Sequence, residues 1–148
     1  GMGATFVDYD HDGYLDLLRA IVALDLVESV APIQLAIRLL VPLGSGLIEI
    51  LDGEGRLGGY DETALCYRWQ AEDPAVDRLH EELLRDVEDC EAGGLDRREI
   101  FRRIWQLAHQ AAGVAALPVE SGPAKPVPRL SEPWYCCAEP TSSQLAGM

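Results

Sequence analysis

Two adjacent cysteines near the end of the sequence are the residues best suited to chemistry. Cys136 and Cys137 follow two aromatic residues and lie between Pro133 and Pro140. A deprotonated thiol is a strong nucleophile and a good ligand for soft metals, whereas a disulfide within such a pair requires a strained eight-membered ring. The pair therefore predicts a reactive or metal-binding site; two incidental tail cysteines are the alternative.

A run of aspartates near the start matches the spacing of calcium-binding loops. Asp8, Asp10, Asp12 and Asp16 follow the pattern D-x-D-x-D-G-x-x-D, which brings alternate carboxylates to one ion. The loop resembles FG-GAP propeller repeats more than an EF-hand, because Arg19 occupies the position of the bidentate glutamate, yet no second copy recurs. A calcium site is one hypothesis, and solvated turn residues at a helix N-terminus are the other.

Other familiar motifs are incomplete. The sequence from His80 begins like the H-E-x-x-H zinc motif but has Leu84 at the fifth position. The Gly-Ser-Gly at residues 44–46 lacks the lysine of a phosphate-binding loop, which favours a turn. Cys66 and Cys90 lie in segments that could bury them as small apolar residues. We therefore do not expect a self-sufficient enzyme of any common motif class.

The composition and net charge of the chain indicate its compartment and the partners that it should not bind. The 148 residues carry a formal net charge of -13, from 25 acidic and 12 basic groups, so nucleic-acid phosphates should be repelled. No apolar run is long enough to cross a membrane, and the N-terminus does not resemble a secretory leader. Four cysteines are too few for a disulfide scaffold. We expect a cytoplasmic protein with no membrane or nucleic-acid partner.

The first sixty residues predict a βαβ unit. Residues 4–7 and the branched apolar run 33–41 are typical of strands, and residues 14–27 have the spacing of a helix. The glycine-rich residues 44–60 predict a connector with a short hairpin through residues 47–51. A lone parallel strand pair leaves edges and one face uncovered, so this segment should belong to a larger α/β layer.

A helical hairpin should follow in residues 61–113, and a proline-rich tail in residues 114–148. Asp73 and Pro74 have the residue types of a helix start, as does Asp96 with Glu99 three residues later. Glycines follow both apolar stripes and should end the two helices. The expected fold class is thus α/β to α+β: a βαβ unit, a helical hairpin and an irregular tail.

The tail resembles that of a known family. Residues 136–140, Cys-Cys-Ala-Glu-Pro, match the motif that names the CUAEP/CCAEP-tail radical SAM proteins, some of which carry selenocysteine at the position of Cys137. Residues 37–45, the run Tyr-Arg-Trp at 67–69 and the Asp-Pro at 73–74 also resemble the segment that follows the radical SAM core. The resemblance covers about residues 14–140.

This resemblance implies a C-terminal fragment. The βαβ unit would be the end of a partial TIM-like barrel, and the partner would be an N-terminal radical SAM core with its [4Fe–4S] cluster and S-adenosylmethionine, acting on an unknown substrate. The cluster motif C-x-x-x-C-x-x-C is absent from this sequence, so the piece could not start radical chemistry alone. Cys137 would be the reactive thiol and Cys136 its resolving or co-ligating partner.

Two further hypotheses belong to other classes of protein. The first is a small calcium-binding interaction module that uses Asp8, Asp10, Asp12 and Asp16. The second is a stand-alone protein that handles thiols or metals through Cys136 and Cys137.

Overall fold

The structure, a computed structural model, describes residues 12–119. Within this range the chain is mixed, with four α-helices, one 3-10 turn and a two-stranded antiparallel sheet, which is an α+β arrangement. The elements follow in this order: α1 Asp12–Ala23, the 3-10 turn Pro32–Leu35, α2 Leu47–Gly53, β1 Leu57–Asp61, β2 Cys66–Trp69, α3 Pro74–Ala92 and α4 Arg97–Ala111.

The predicted helical hairpin is present but begins at Pro74, because residues 61–69 belong to a β hairpin rather than to the predicted helical region. The Asp73 side chain accepts a hydrogen bond from the backbone N–H of Ala75 before α3, and the Asp96 side chain accepts one from Glu99 before α4. Asp86, in the last third of α3, pairs with Arg103 in the middle of α4, with 2.8 Å between Arg103 Nε and Asp86 Oδ2. This cross-link joins positions equally far from the connecting loop, so the two helices run antiparallel.

All four α-helices of the described range end in the same way. One residue with positive φ follows each helix, and the next N–H bonds back across the last turn. At α1 the residue with positive φ is Asp25, and Leu26 N donates to Ile21 O over 2.9 Å. The helix expected over residues 14–27 therefore ends at Ala23. The residues with positive φ at the four ends are Asp25, Gly55, Gly94 and Gly113.

The main core lies between α1, the 3-10 turn, α3 and α4, which together we call the helical region. Each large side chain removed from water there stabilises the fold by about 1.5–3 kcal/mol. Residues at three- and four-residue spacing supply the core, because they share one face of each helix. Its fully buried side chains include Leu15, Leu18, Leu83, Val87, Ile100, Phe101 and Ile104.

The strand predicted over residues 33–41 is wrong. Pro32 begins a 3-10 turn, and Ile33, Leu35 and Ile37 are buried against the helices rather than in a sheet. A run of branched apolar residues can be buried in a sheet or against helices, and here the 3-10 turn packs against α3 and α4. Without this strand residues 12–60 contain no βαβ unit; the other predicted strand, residues 4–7, lies outside the described range.

A small region, which we define as α2, β1 and β2 with residues 39–42, follows the 3-10 turn. The hairpin expected at residues 47–51 is instead helix α2, since Leu47 and Leu51 lie one turn apart and pack with Val41 and Trp69. The hairpin forms later, where β1 pairs with β2. Tyr67 N donates to Val41 O over 2.8 Å and attaches this hairpin to the preceding segment.

Candidate functional site

The structure places few of the predicted site residues. Cys136, Cys137, Asp8 and Asp10 lie outside the described range. Asp12 is the first residue of α1. The calcium hypothesis thus stays a prediction for those aspartates.

Asp16 is the one predicted ligand with a described side chain. Its side chain is 69% exposed, and its carboxylate pairs with Arg19 on the next turn, 3.0 Å away. Between residues 12 and 119 no cluster of three or more histidine, cysteine or acidic side chains could hold a metal ion.

A polar cluster in the described domain centres on Arg38. One of its guanidinium nitrogens lies 2.8 Å from Trp69 O and 3.2 Å from Asp77 Oδ1, and the guanidinium carbon lies 4.0 Å from the centre of the Trp69 ring. The Asp77 carboxylate also accepts from the backbone N–H of Ala71. We call Arg38, Trp69, Asp77 and the adjacent His80 the Arg38 network; it joins the helical region to the small region.

His80 is the titratable member of this network. Its ring is buried, and burial lowers its pKa to about 4, with the positive charge of Arg38 acting in the same direction. A hydrogen bond with the backbone of Ala36 opposes that shift. The imidazole is therefore neutral at pH 7, and the network holds two regions together rather than offering an acid or base near neutrality.

Cys66 and Cys90 are buried cysteines outside any disulfide, as their sequence context allowed. Burial raises the pKa of Cys90, and the negative charge of nearby Asp86 raises it further. Its sulfur lies 3.9 Å from Asp86 Oδ2. A buried thiol is poorly accessible to reagents and substrates, so neither residue competes with the tail pair for the role of nucleophile.

The end of α4 carries a polar contact that sequence reasoning missed. Trp105 is 8% exposed, and its indole N–H donates to Leu117 O over 2.9 Å. Its ring lies 4.2 Å from the ring of His109, centre to centre. The available signal was a tryptophan on the apolar stripe of α4, since a buried indole N–H requires an acceptor.

Comparisons of the chain with family models, with curated proteins and with solved structures found no match in any of the three. None of the described helices combines the length and the apolar character required to cross a membrane. The chemistry of individual residues is therefore what carries a functional assignment.

Proposed function

We propose that this chain is the C-terminal portion of a CUAEP/CCAEP-tail radical SAM protein and supplies it with an accessory domain and a reactive vicinal-thiol tail. The observation that carries the proposal is the five-residue run from Cys136 to Pro140, which matches the motif that names the family. In this proposal the parent chain provides the [4Fe–4S] cluster and S-adenosylmethionine, and this portion is not catalytic alone.

A structural role for residues 12–119 and a chemical role for the tail are consistent with the described fold. Residues 12–119 enclose an apolar core of their own, and the Arg38 network joins two parts of that fold. In this proposal the chemistry belongs to the tail. Any partial barrel would lie before Asp12, because residues 33–41 do not form the strand that a barrel end requires.

The tail thiols would act as a nucleophile or as ligands. A position that accepts selenocysteine in similar proteins needs a chalcogen of low pKa and high nucleophilicity, suited to redox exchange or to a soft metal or metalloid. Cys137 takes that role, and Cys136 resolves or co-ligates.

Thiol-selective labelling tests this assignment, because the domain protects its other sulfurs. Cys66 and Cys90 are 3% and 6% exposed, so a small alkylating reagent should modify the tail pair first in the native protein. We expect alkylation of Cys137 to abolish turnover of the full-length enzyme. A Cys90→Ala variant is the matched control and should keep its turnover; unchanged turnover after alkylation of Cys137 would contradict the proposal.

The gene provides an independent test. We expect the reading frame upstream of residue 1 to encode C-x-x-x-C-x-x-C, whose three thiolates hold the cluster. A natural chain without this motif would end the proposal. The remaining hypothesis would then be a stand-alone protein that handles thiols or metals. Its test is to change Cys136 and Cys137 to serine, which should abolish the binding of arsenite or zinc.

A calcium-binding interaction module is the second candidate, favoured by the spacing of Asp8, Asp10, Asp12 and Asp16. Calcium bound to the folded state should raise the melting temperature, and calorimetry should record heat. An Asp10→Asn variant should lose both signals, while Asp52→Asn on α2 should keep them. No heat with the unaltered chain would exclude this candidate.

A further inference from the structure

The segment after α4 is held on the domain although it is neither helix nor strand. Residues 114–119 follow Gly113, and Val114 and Leu117 are 45% and 73% exposed. The carbonyl of Leu117 nevertheless accepts the indole N–H of Trp105 over 2.9 Å. An exposed segment thus has a specific bond to a buried side chain.

The attachment has three points along these six residues. Val114 N donates to His109 O over 2.9 Å, Leu117 O accepts from Trp105, and Val119 packs against the main core. The first bond completes the end of α4, but the second lies four residues beyond Gly113. Helix termination therefore does not require the Trp105 contact.

Trp105 is itself fixed in place. Its ring lies 4.2 Å from the His109 ring and 6.3 Å from the Phe101 ring, centre to centre. His109 Nδ1 lies 2.7 Å from Trp105 O, which orients the imidazole beside the indole. Because the indole N–H of Trp105 is held in one position, the Leu117 carbonyl that accepts from it is also restricted to one position.

We infer that residues 114–119 are a clasp that sets where the thiol tail leaves the domain, and that Trp105 is its positioning residue. The use of the tail rests on the proposed function, whereas the clasp rests on the described contacts. At about 3.5 Å per residue, the chain from Val119 to Cys136 spans no more than about 60 Å. The site that the thiols serve must then lie within that distance of the clasp.

NMR relaxation of the backbone amides of this chain tests the clasp. Trp105→Phe keeps an aromatic ring but removes the indole donor. Trp69→Phe is the matched control, because Trp69 is also 8% exposed and its indole N–H also donates to a backbone carbonyl, Leu39 O, over 3.0 Å. We expect the order parameters of the amides in residues 115–119 to fall from about 0.85 to below about 0.6 in Trp105→Phe, because the segment loses its central attachment, and to stay unchanged in Trp69→Phe.

Two outcomes would overturn the inference. One is unaltered order parameters at residues 115–119 in Trp105→Phe; the other is an equal fall in both variants, which would show general loosening. A Val119→Ala variant loosens the clasp at its other end and should also lower the order parameters there, so the test remains if Trp105→Phe does not fold. Alkylation of Cys137 in the full enzyme tests the proposed function separately, and its failure would leave the relaxation result intact.

Discussion

The helical region and the small region of this domain differ in the size of their buried cores. Among residues 12–119, the core of the helical region contains fifteen buried residues, whereas that of the small region contains Val41, Leu51 and Trp69. Since buried apolar area is the main stabilising term, the helical region should fold by its own packing. The small region depends on its attachment, through the Arg38 network and the bond from Tyr67 N to Val41 O.

The sharpest test of this difference is truncation in each core. Phe101→Ala should lower the free energy of unfolding by about 3–5 kcal/mol, because Phe101 is 2% exposed among packed helices that cannot collapse onto the cavity. Leu51→Ala, in the small region, should cost about 2 kcal/mol. Urea denaturation followed by circular dichroism measures both. An equal or larger loss for Leu51→Ala would contradict the difference between the two cores.

Acid should weaken the contact between the regions. The ordinary pKa of His80 is 6.5 and burial lowers it to about 4, so between these values the unfolded chain binds a proton that the folded protein excludes. The contribution of His80 to the free energy of unfolding should therefore be constant above pH 6.5 and should fall by about 3 kcal/mol as the pH drops to 4.

Subtracting the profile of His80→Gln isolates this contribution. Asp61 and Asp86 do not interfere, because hydrogen bonds hold the pKa of each below its ordinary value of 3.8. Denaturation midpoints at several pH values supply the data. An identical pH dependence in the variant, or an NMR titration of His80 near pH 6.5, would be inconsistent with burial of the neutral ring.

Removing the cation of the network should cost about 2 kcal/mol. In Arg38→Met the Asp77 carboxylate loses its ion pair, and partial exposure of that carboxylate keeps the cost below that of a fully buried pair. The pKa of His80 should rise, because the positive charge of Arg38 helps to lower it.

Arg68→Met is the control for this variant. Arg68 also pairs with an aspartate, at 2.6 Å, but its side chain is 76% exposed, so the change should stay within about 0.5 kcal/mol. Thermal melts and an NMR titration of His80 check both variants. Equal losses would show that the Arg38 network contributes no more than a surface pair.

The smallest expected effect is a gain in stability. Leu65, in the loop between β1 and β2, has φ of 55° and is 63% exposed, so it adopts a strained backbone without burying its side chain. Leu65→Asn should stabilise the protein by about 0.5–1 kcal/mol, because asparagine tolerates this conformation. Leu43→Asn, a similarly exposed leucine, should change little. A melting temperature that falls in Leu65→Asn would show that the leucine makes a stabilising contact.

Local signals made α3 and α4 predictable. Capping aspartates, Pro74 and the glycines after each helix act within a few residues, so the sequence alone locates them. The sequence context of Cys66 and Cys90 allowed burial, and both are buried. The chemistry of Cys136 and Cys137 and of the aspartates stays a prediction from their residue types and spacing.

Apolar runs without a clear period were not predictable. Residues 33–41 are equally compatible with a strand and with a turn covered by helices, and the choice depends on which faces of α3 and α4 are available. Likewise, Leu47 and Leu51 of α2 pack with Val41 and with Trp69, and Trp69 lies far along the chain from them. Such contacts cannot be read from a short window.

The amino-acid sequence by itself determined the helical hairpin and the acidic charge, because each depends on residue type and near neighbours, and it predicts thiol chemistry for the tail. The tertiary structure alone decided that residues 32–35 form a turn packed on the helices, that Arg38 joins two regions and that Trp105 holds Leu117. The last two features join residues 39 and 12 positions apart, and only a folded core brings such residues within hydrogen-bond distance.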